Sequence, residues 1–299
     1  MSPAAGLSRY WMAIYLMLGM VWDTSFLFLR IATQSIGPLP TAWGRVTLAA
    51  LCLLPILAWK GQLTQMVRLW KPMMVMGMLN SGLPFLFYSY AVQSLPISMT
   101  SVLNATTPLL TALIAWAWLG ERLNTARSIG LLLGLLGVAM LTWRAHGGVS
   151  TASGGLGLPM LACLTAASCY GLSSSFNQRY LSQVPPLVSA AGSLLGASLG
   201  LLVPALWAWP DHAPSPHAWM ALGALAVFCT ALAYLWFFWL VRHIGAARSS
   251  TVIFLVPVVS TSLGMLLLDE EVTLWMVGCA SLVLLGTALS IGLLRWPRR

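Results

Sequence analysis

The chain has 299 residues, of which 59% are hydrophobic and 7% charged, and its mean hydropathy is +0.85. A soluble domain carries about a quarter charged residues, so 15 Lys and Arg with 6 Asp and Glu cannot cover a water-soluble fold of this size. That excludes a soluble enzyme, a disordered chain and a coiled coil, and long unbroken apolar runs exclude a β-barrel. The net charge of +9 does not point to nucleic acid, because the basic residues stand singly between apolar runs.

A helix needs about 20 apolar residues to cross the hydrocarbon. Ten segments meet that requirement: Tyr10–Ala32, Thr41–Trp59, Pro72–Gln93, Ile97–Leu119, Thr125–Trp143, Leu156–Ser175, Pro186–Trp209, Trp219–Val241, Ala247–Leu268 and Thr273–Leu294. The first follows a lone Arg9 and is too long for a signal-peptide core, so it reads as an uncleaved span. The connections are short and leave no room for a soluble domain.

Orientation follows from the basic residues. With the N-terminus inside, twelve fall on inner segments: Arg9, Lys60, Arg68, Lys71, Arg122, Arg127, Arg179, Arg242, Arg248, Arg295, Arg298 and Arg299. The outer loops hold only Arg144, while Arg30 and Arg45 lie within spans near their outer ends. Both termini are therefore expected in the cytoplasm, which requires an even number of crossings.

The halves resemble each other at an offset of 149: Thr107-Pro108-Leu109-Leu110 through Leu119-Gly120-Glu121 matches Val256-Pro257-Val258-Val259 through Leu268-Asp269-Glu270. Gly137 falls on Gly286, and a weaker echo at 148 places Tyr170-Gly171 on Trp22-Asp23 and Ser173 on Ser25. Five spans per half is an odd number, so the halves, 1–146 and 147–299, must be inserted in opposite senses. The expected fold is an all-α integral membrane protein of ten transmembrane helices in two inverted five-helix repeats, the architecture of secondary transporters with a site between the halves.

These motifs resemble the EamA-type drug/metabolite transporter superfamily. The resemblance spans almost the whole chain and rests on Leu103-Asn104-Ala105-Thr106-Thr107-Pro108, Trp118-Leu119-Gly120-Glu121-Arg122-Leu123, Gly130–Leu141 and Val21-Trp22-Asp23-Thr24-Ser25-Phe26 with Arg30 and Arg45. It implies export of small metabolites across the bacterial inner membrane, and within the superfamily the chain looks most like exporters of neutral and aromatic amino acids. It departs from the pattern at Asp23, where the family has Gly, and at Asp269-Glu270-Glu271, where the family has Gly-Glu-Arg.

Asp23 lies about halfway through the first span, where an ionisable group is costly and is a functional hypothesis by default. It is read as a carrier of a coupling proton, a partner for a substrate ammonium, an acid facing a wet cavity, or a tolerated substitution for Gly. For Arg30 and Arg45 the structural reading, capping carbonyls or snorkelling to head groups, is favoured over carboxylate attraction. Glu121 and its twin Glu270 are read as caps of the following helices or partners of a nearby Arg. Asn80, Pro84 and Tyr88 share one helix face, as do Asn104 and Pro108 with Thr107 beside them, and polar groups at that depth face protein or cavity. In the second half, Tyr170, Ser174 and the aromatic run from Tyr234 through Trp239 add an aromatic lining suited to a partly planar solute.

The expected substrate-binding set is thus Trp22, Asp23, Asn80, Tyr88, Asn104, Thr107, Tyr170, Ser174, Tyr234 and Trp239. Gly192, Gly196 and Gly200 argue for close helix packing. Cys52, Cys163, Cys169, Cys229 and Cys279 read as small core residues. No phosphate-binding loop, hydrolase motif or metal-ligand spacing is present in the sequence, so no cofactor or metal is expected and an enzyme is disfavoured. The expected partners are a small-molecule substrate and the lipid bilayer, and a monomer is compatible with all of this. The competing reading is a passive channel or a lipid-handling membrane protein.

Overall fold

The computed structural model describes residues 3–121, 123–147, 157–245, 249 and 251–291. The described residues form helices and connecting turns, with no strand among them. In chain order the α-helices are α1 (Pro3–Ile36), α2 (Pro38–Trp59), α3 (Leu63–Arg68), α4 (Trp70–Gly77), α5 (Leu83–Ala91), α6 (Ile97–Asn104) and α7 (Thr107–Leu119). They continue with α8 (Thr125–Gly147), α9 (Gly157–Tyr180), α10 (Pro186–Trp207), α11 (Pro216–Ala226), α12 (Ala233–Ile244), α13 (Val256–Leu268) and α14 (Leu274–Ser290).

Six helical stretches are long and apolar enough to cross a membrane: Tyr10–Ile36, Pro38–Trp59, Ile97–Leu119, Pro186–Trp207, Pro216–Ile244 and Thr251–Leu268. Thr125–Leu141 and Leu274–Ser290 are shorter apolar helices. The chain is a multi-pass membrane protein. Arg122, Arg248, Arg295, Arg298 and Arg299 of the charge pattern lie outside the described residues, as does the 148–156 junction.

Two helices carry π-helical turns. Met78–Gly82 joins α4 to α5, and Val227–Leu232 joins α11 to α12. A π-turn shifts the register of the residues beyond it and frees carbonyls, which is why such turns gather at functional sites. A third break falls at Ala105–Thr106, between α6 and α7, where Pro108 cannot donate to the preceding turn.

Lipid tails are as apolar as leucine, so helices in a bilayer associate through close packing rather than through hydrophobic expulsion. The α8–α14 seam illustrates this. A Cβ on Gly130 would lie 2.5 Å from the Gly286 carbonyl oxygen, and one on Gly286 would lie 2.5 Å from that of Gly130. The expected glycine stripe on α10 acts in the same way. A Cβ on Gly196 would meet the Met73 carbonyl at 2.5 Å, so α10 rides directly on α4.

One buried apolar cluster is built around Leu29, Leu95, Leu103 and Met160, and another around Leu53, Leu57, Leu194 and Leu201. Cys163, Cys169, Cys229 and Cys279 are buried as expected, whereas Cys52 is exposed on the outer face of α2.

Candidate functional site

Asn80 sits in the first π-turn, and its amide is the hub of a polar cluster. Its Nδ2 donates to the Tyr234 hydroxyl at 3.2 Å, and its Oδ1 accepts from Ser173 Oγ at 3.0 Å. Ser81 Oγ lies 3.5 Å from the same Tyr234 hydroxyl. Three helices that are far apart in sequence (the α4–α5 stretch, α9 and α12) are therefore tied together by one side chain.

A second cluster adjoins it. The Tyr88 hydroxyl donates to Asn104 Oδ1 at 2.9 Å, and Tyr88 stacks on Tyr170 with ring centroids 6.3 Å apart. Phe26 meets the edge of Tyr88 at 5.7 Å. Asn104 is the last residue of α6, so its amide side chain stands beside a helix break. Thr107 turns inward on its own chain, donating to the Asn104 carbonyl at 2.7 Å.

Four expected residues are placed differently. Ser174 is exposed, and Ser173, one position earlier and buried, makes the bond to Asn80. Asp23 is fully buried, and its carboxylate accepts from Ser260 Oγ on α13 rather than facing the Asn80 and Tyr88 clusters. Trp22 packs on Phe237, with centroids 5.5 Å apart. Trp239 stacks on His243 at 3.9 Å, toward the far end of α12.

Trp239 belongs to a cleft of about 690 Å³, walled by Leu235, Phe238 and Trp239 and rimmed by Lys60, Arg242 and His243. Phe238 also packs on Tyr234, at 6.2 Å between centroids, so one aromatic pair separates this cleft from the Asn80 cluster.

Arg30 and Arg45 both find partners within the protein. Arg30 Nη1 pairs with Glu270 Oε1 at 3.1 Å. Glu270 caps α6 rather than the helix that follows it, accepting from Ile97 N at 2.7 Å and from Ser98 N at 3.1 Å. The helix after it, α14, is capped by Thr273. Glu121 likewise does not cap α8, where Asn124 accepts from Arg127 N at 2.8 Å. It accepts from Gln178 Nε2 at 3.1 Å and lies 3.8 Å from Arg127. Arg45, expected to cap carbonyls or reach head groups with carboxylate attraction as the lesser reading, lies in the interior. The residue is 6% exposed, and its guanidinium stands 3.8 Å above the Phe85 ring and donates from Nε to Thr230 Oγ1 at 2.9 Å. Its place two turns inside α2, rather than at the helix end, was the available signal.

A bundle of membrane-crossing helices closed around polar and aromatic side chains, with a cleft beside them, has the build of a solute transporter. The model of the EamA-like transporter family matches residues 10–143 and again 157–292, and the chain belongs to that family. It is 26% identical over 279 residues to the uncharacterized transporter YvbV of Bacillus subtilis strain 168, covering 92% of this chain and 88% of that protein. It is also 26% identical to the inner membrane transporter YedA of Escherichia coli K12, covering 83% of this chain and 79% of that protein. The S-adenosylmethionine/S-adenosylhomocysteine transporter of Chlamydia trachomatis serovar D is 26% identical as well, covering 87% of this chain and 83% of its own. A solved crystal structure superposes with a TM-score of 0.64 at 23% identity, covering 94% of this chain and 96% of that one. The protein is a transporter of small molecules, and its family and these relatives are transporters rather than enzymes.

Proposed function

We propose that this protein is a secondary exporter of neutral or aromatic amino acids and related metabolites. It works by alternating access through a chamber between two inverted five-helix repeats, in the bacterial inner membrane with both termini cytoplasmic. The observation that carries the reading is the Asn80 amide, which ties Ser173 and Tyr234 of one half to the π-turn of the other. Polar groups held between two bundles are what a rocking motion would expose to either side.

Three backbone features support the repeat. The π-turns at Met78–Gly82 and Val227–Leu232 start 149 positions apart. Gly120 and Asp269, separated by the same interval, both end a helix in the left-handed conformation, at φ 71° and 52°. The helix starts after Thr106 and Leu255 complete the series. The family model's two matches, one in each half, fit the same division.

The aromatic lining from Tyr88, Tyr170 and Tyr234 favours a solute with a planar or apolar body. The relative named for S-adenosylmethionine, an amino-acid derivative, is in keeping with that class. Purified protein in liposomes tests it by counterflow. Labelled phenylalanine or leucine is expected to enter vesicles preloaded with the unlabelled solute faster than empty ones. Intact protein showing no acceleration across a panel of neutral and aromatic amino acids would sink the reading, and entry that ignores the internal solute would indicate a channel.

A further inference from the structure

Arg45 is a buried cation without an acidic partner. The chain's six acids are all placed among the described residues, and none reaches it. Asp23 bonds Ser260, Glu121 bonds Gln178 and lies near Arg127, and Glu270 holds Arg30. Asp211, Asp269 and Glu271 are exposed. A guanidinium carries five N–H donors in a planar fork. Among the described residues Arg45 uses one of them, the Nε–H bonded to Thr230 Oγ1. Thr230 is itself fixed, donating to the Leu225 carbonyl at 2.8 Å across the π-turn. The face of the fork is taken up by Phe85, a contact that orients the cation without neutralising it.

The surroundings are those of the chamber. Thr230, which holds the guanidinium, stands four positions before Tyr234 on the same helical stretch. Tyr234 joins it to the Asn80 cluster and, through Phe238, to the cleft rimmed by Lys60, Arg242 and His243. Basic groups at a cleft mouth raise the local concentration of anions.

A buried charge in a membrane protein needs a counter-charge. We propose that Arg45 is the binding residue for the carboxylate of the transported solute, its terminal N–H groups gripping the two oxygens side by side. A single unpaired positive charge matches a monoanionic group rather than a phosphate carrying nearly two charges. The assignment rests on the transporter reading above and specifies the substrate class: a carboxylate on a partly apolar body, lodged against Phe85 and the tyrosines.

Pairs of probes that differ only in the acid test it: phenylalanine against phenylalaninamide, and hydrocinnamate against its amide. Their binding is read as thermal stabilisation of the purified protein in detergent. The acids are expected to stabilise wild type and the amides to do so at least about tenfold more weakly in concentration terms, as fits a charge-assisted hydrogen-bond pair. Arg45→Gln is expected to erase the acid's advantage. Arg45→Lys, which keeps the charge but not the fork, is expected to retain part of it and shows that the loss is not misfolding. Equal response to acid and amide in wild type, an unchanged preference in Arg45→Gln, or no response to any acid each overturns the proposal. Counterflow of a solute lacking a carboxylate in the same preparation would leave transport standing while this assignment fell.

Discussion

Arg30 and Glu270 are 240 positions apart in sequence, and their side chains meet at 3.1 Å. The pair is one edge of a larger knot. The Glu270 carboxylate also takes the first backbone N–H groups of α6 and the Ser98 hydroxyl, the last at 2.7 Å. A negative charge at a helix N-terminus satisfies orphan donors and opposes the helix dipole favourably. With its side chain 6% exposed, Glu270 holds α6, α1 and the α13–α14 turn as one unit.

The two partners should therefore differ in importance. Glu270→Ala strands a cation and two N–H groups and is expected to cost about 3 kcal/mol. Arg30, 29% exposed, leaves the carboxylate still capped by α6, and Arg30→Ala is expected to cost about 1 kcal/mol. Thermal unfolding in detergent measures both, and equal losses would show that the helix cap contributes nothing. Gly264→Ala is expected to behave like the weaker of the two or worse, because its Cβ would lie 2.5 Å from Glu270 Oε2.

The seam between α8 and α14 makes a separate prediction. Gly130 and Gly286 let two backbones touch, and neither neighbour is a flexible side chain that could swing aside. Gly286→Ala must push the helices apart and is expected to cost about 1–3 kcal/mol. Gly278, on the same helix, has open space where a Cβ would go. Gly278→Ala is expected to leave the melting temperature unchanged or raise it, since Ala is the better helix former. A similar loss in both variants would show that the effect is not one of contact.

Six of the ten expected spans were legible because crossing the hydrocarbon imposes a length and an apolar composition that sequence displays directly. The ends agree within a few residues at Trp59, Leu119 and Leu268. The site was only partly legible. Asn80, Tyr88 and Asn104 stood out because lone amides and a hydroxyl in apolar helices need partners, and those partners are present. The choice between Ser173 and Ser174 was beyond periodicity. Three consecutive serines, Ser173 to Ser175, are spread over about 200° of a helix at about 100° per residue.

The same holds for the run Tyr234 to Trp239, which places aromatics on every face of α12, so Trp22 and Phe237 pair on one side while Trp239 turns to His243. The partner of Arg45 was hidden for a different reason. The π-turn that brings Thr230 beneath it leaves no trace in a 3.6-residue period. Asp23 stood out by depth, and its partner Ser260, 237 positions away, is revealed only by the packing of α13 on α1.

The serine pair gives a direct functional comparison. Ser173→Ala removes the donor to Asn80 Oδ1 and leaves that amide partly unsatisfied, which is expected to cost about 1 kcal/mol of local order, or roughly fivefold in exchange rate. Ser174→Ala, exposed, is expected to fall within about 0.5 kcal/mol of wild type. Counterflow rates with matched amounts of folded protein separate the two, and the reverse order would mean that the chamber lies on the other face of α9.

Asp23 and Asn80 separate drive from recognition. Asn80 bonds Tyr234 and Ser173, whereas Asp23 bonds Ser260 on α13. Asn80→Ala removes both chamber bonds and leaves the Tyr234 hydroxyl and Ser173 short of a partner, so solute exchange is expected to fall about tenfold or more. Asp23→Asn keeps the size of the side chain and an oxygen to accept from Ser260, so exchange between equal pools of solute is expected to stay within about twofold of wild type. What Asp23→Asn loses is the ability to gain or release a proton at that depth, and accumulation against a gradient under an imposed proton gradient is expected to disappear. Measuring exchange and driven accumulation in the same proteoliposomes decides it. A variant that still accumulates solute under the proton gradient removes Asp23 from the coupling step, and one that fails in exchange as well makes it part of the solute site after all.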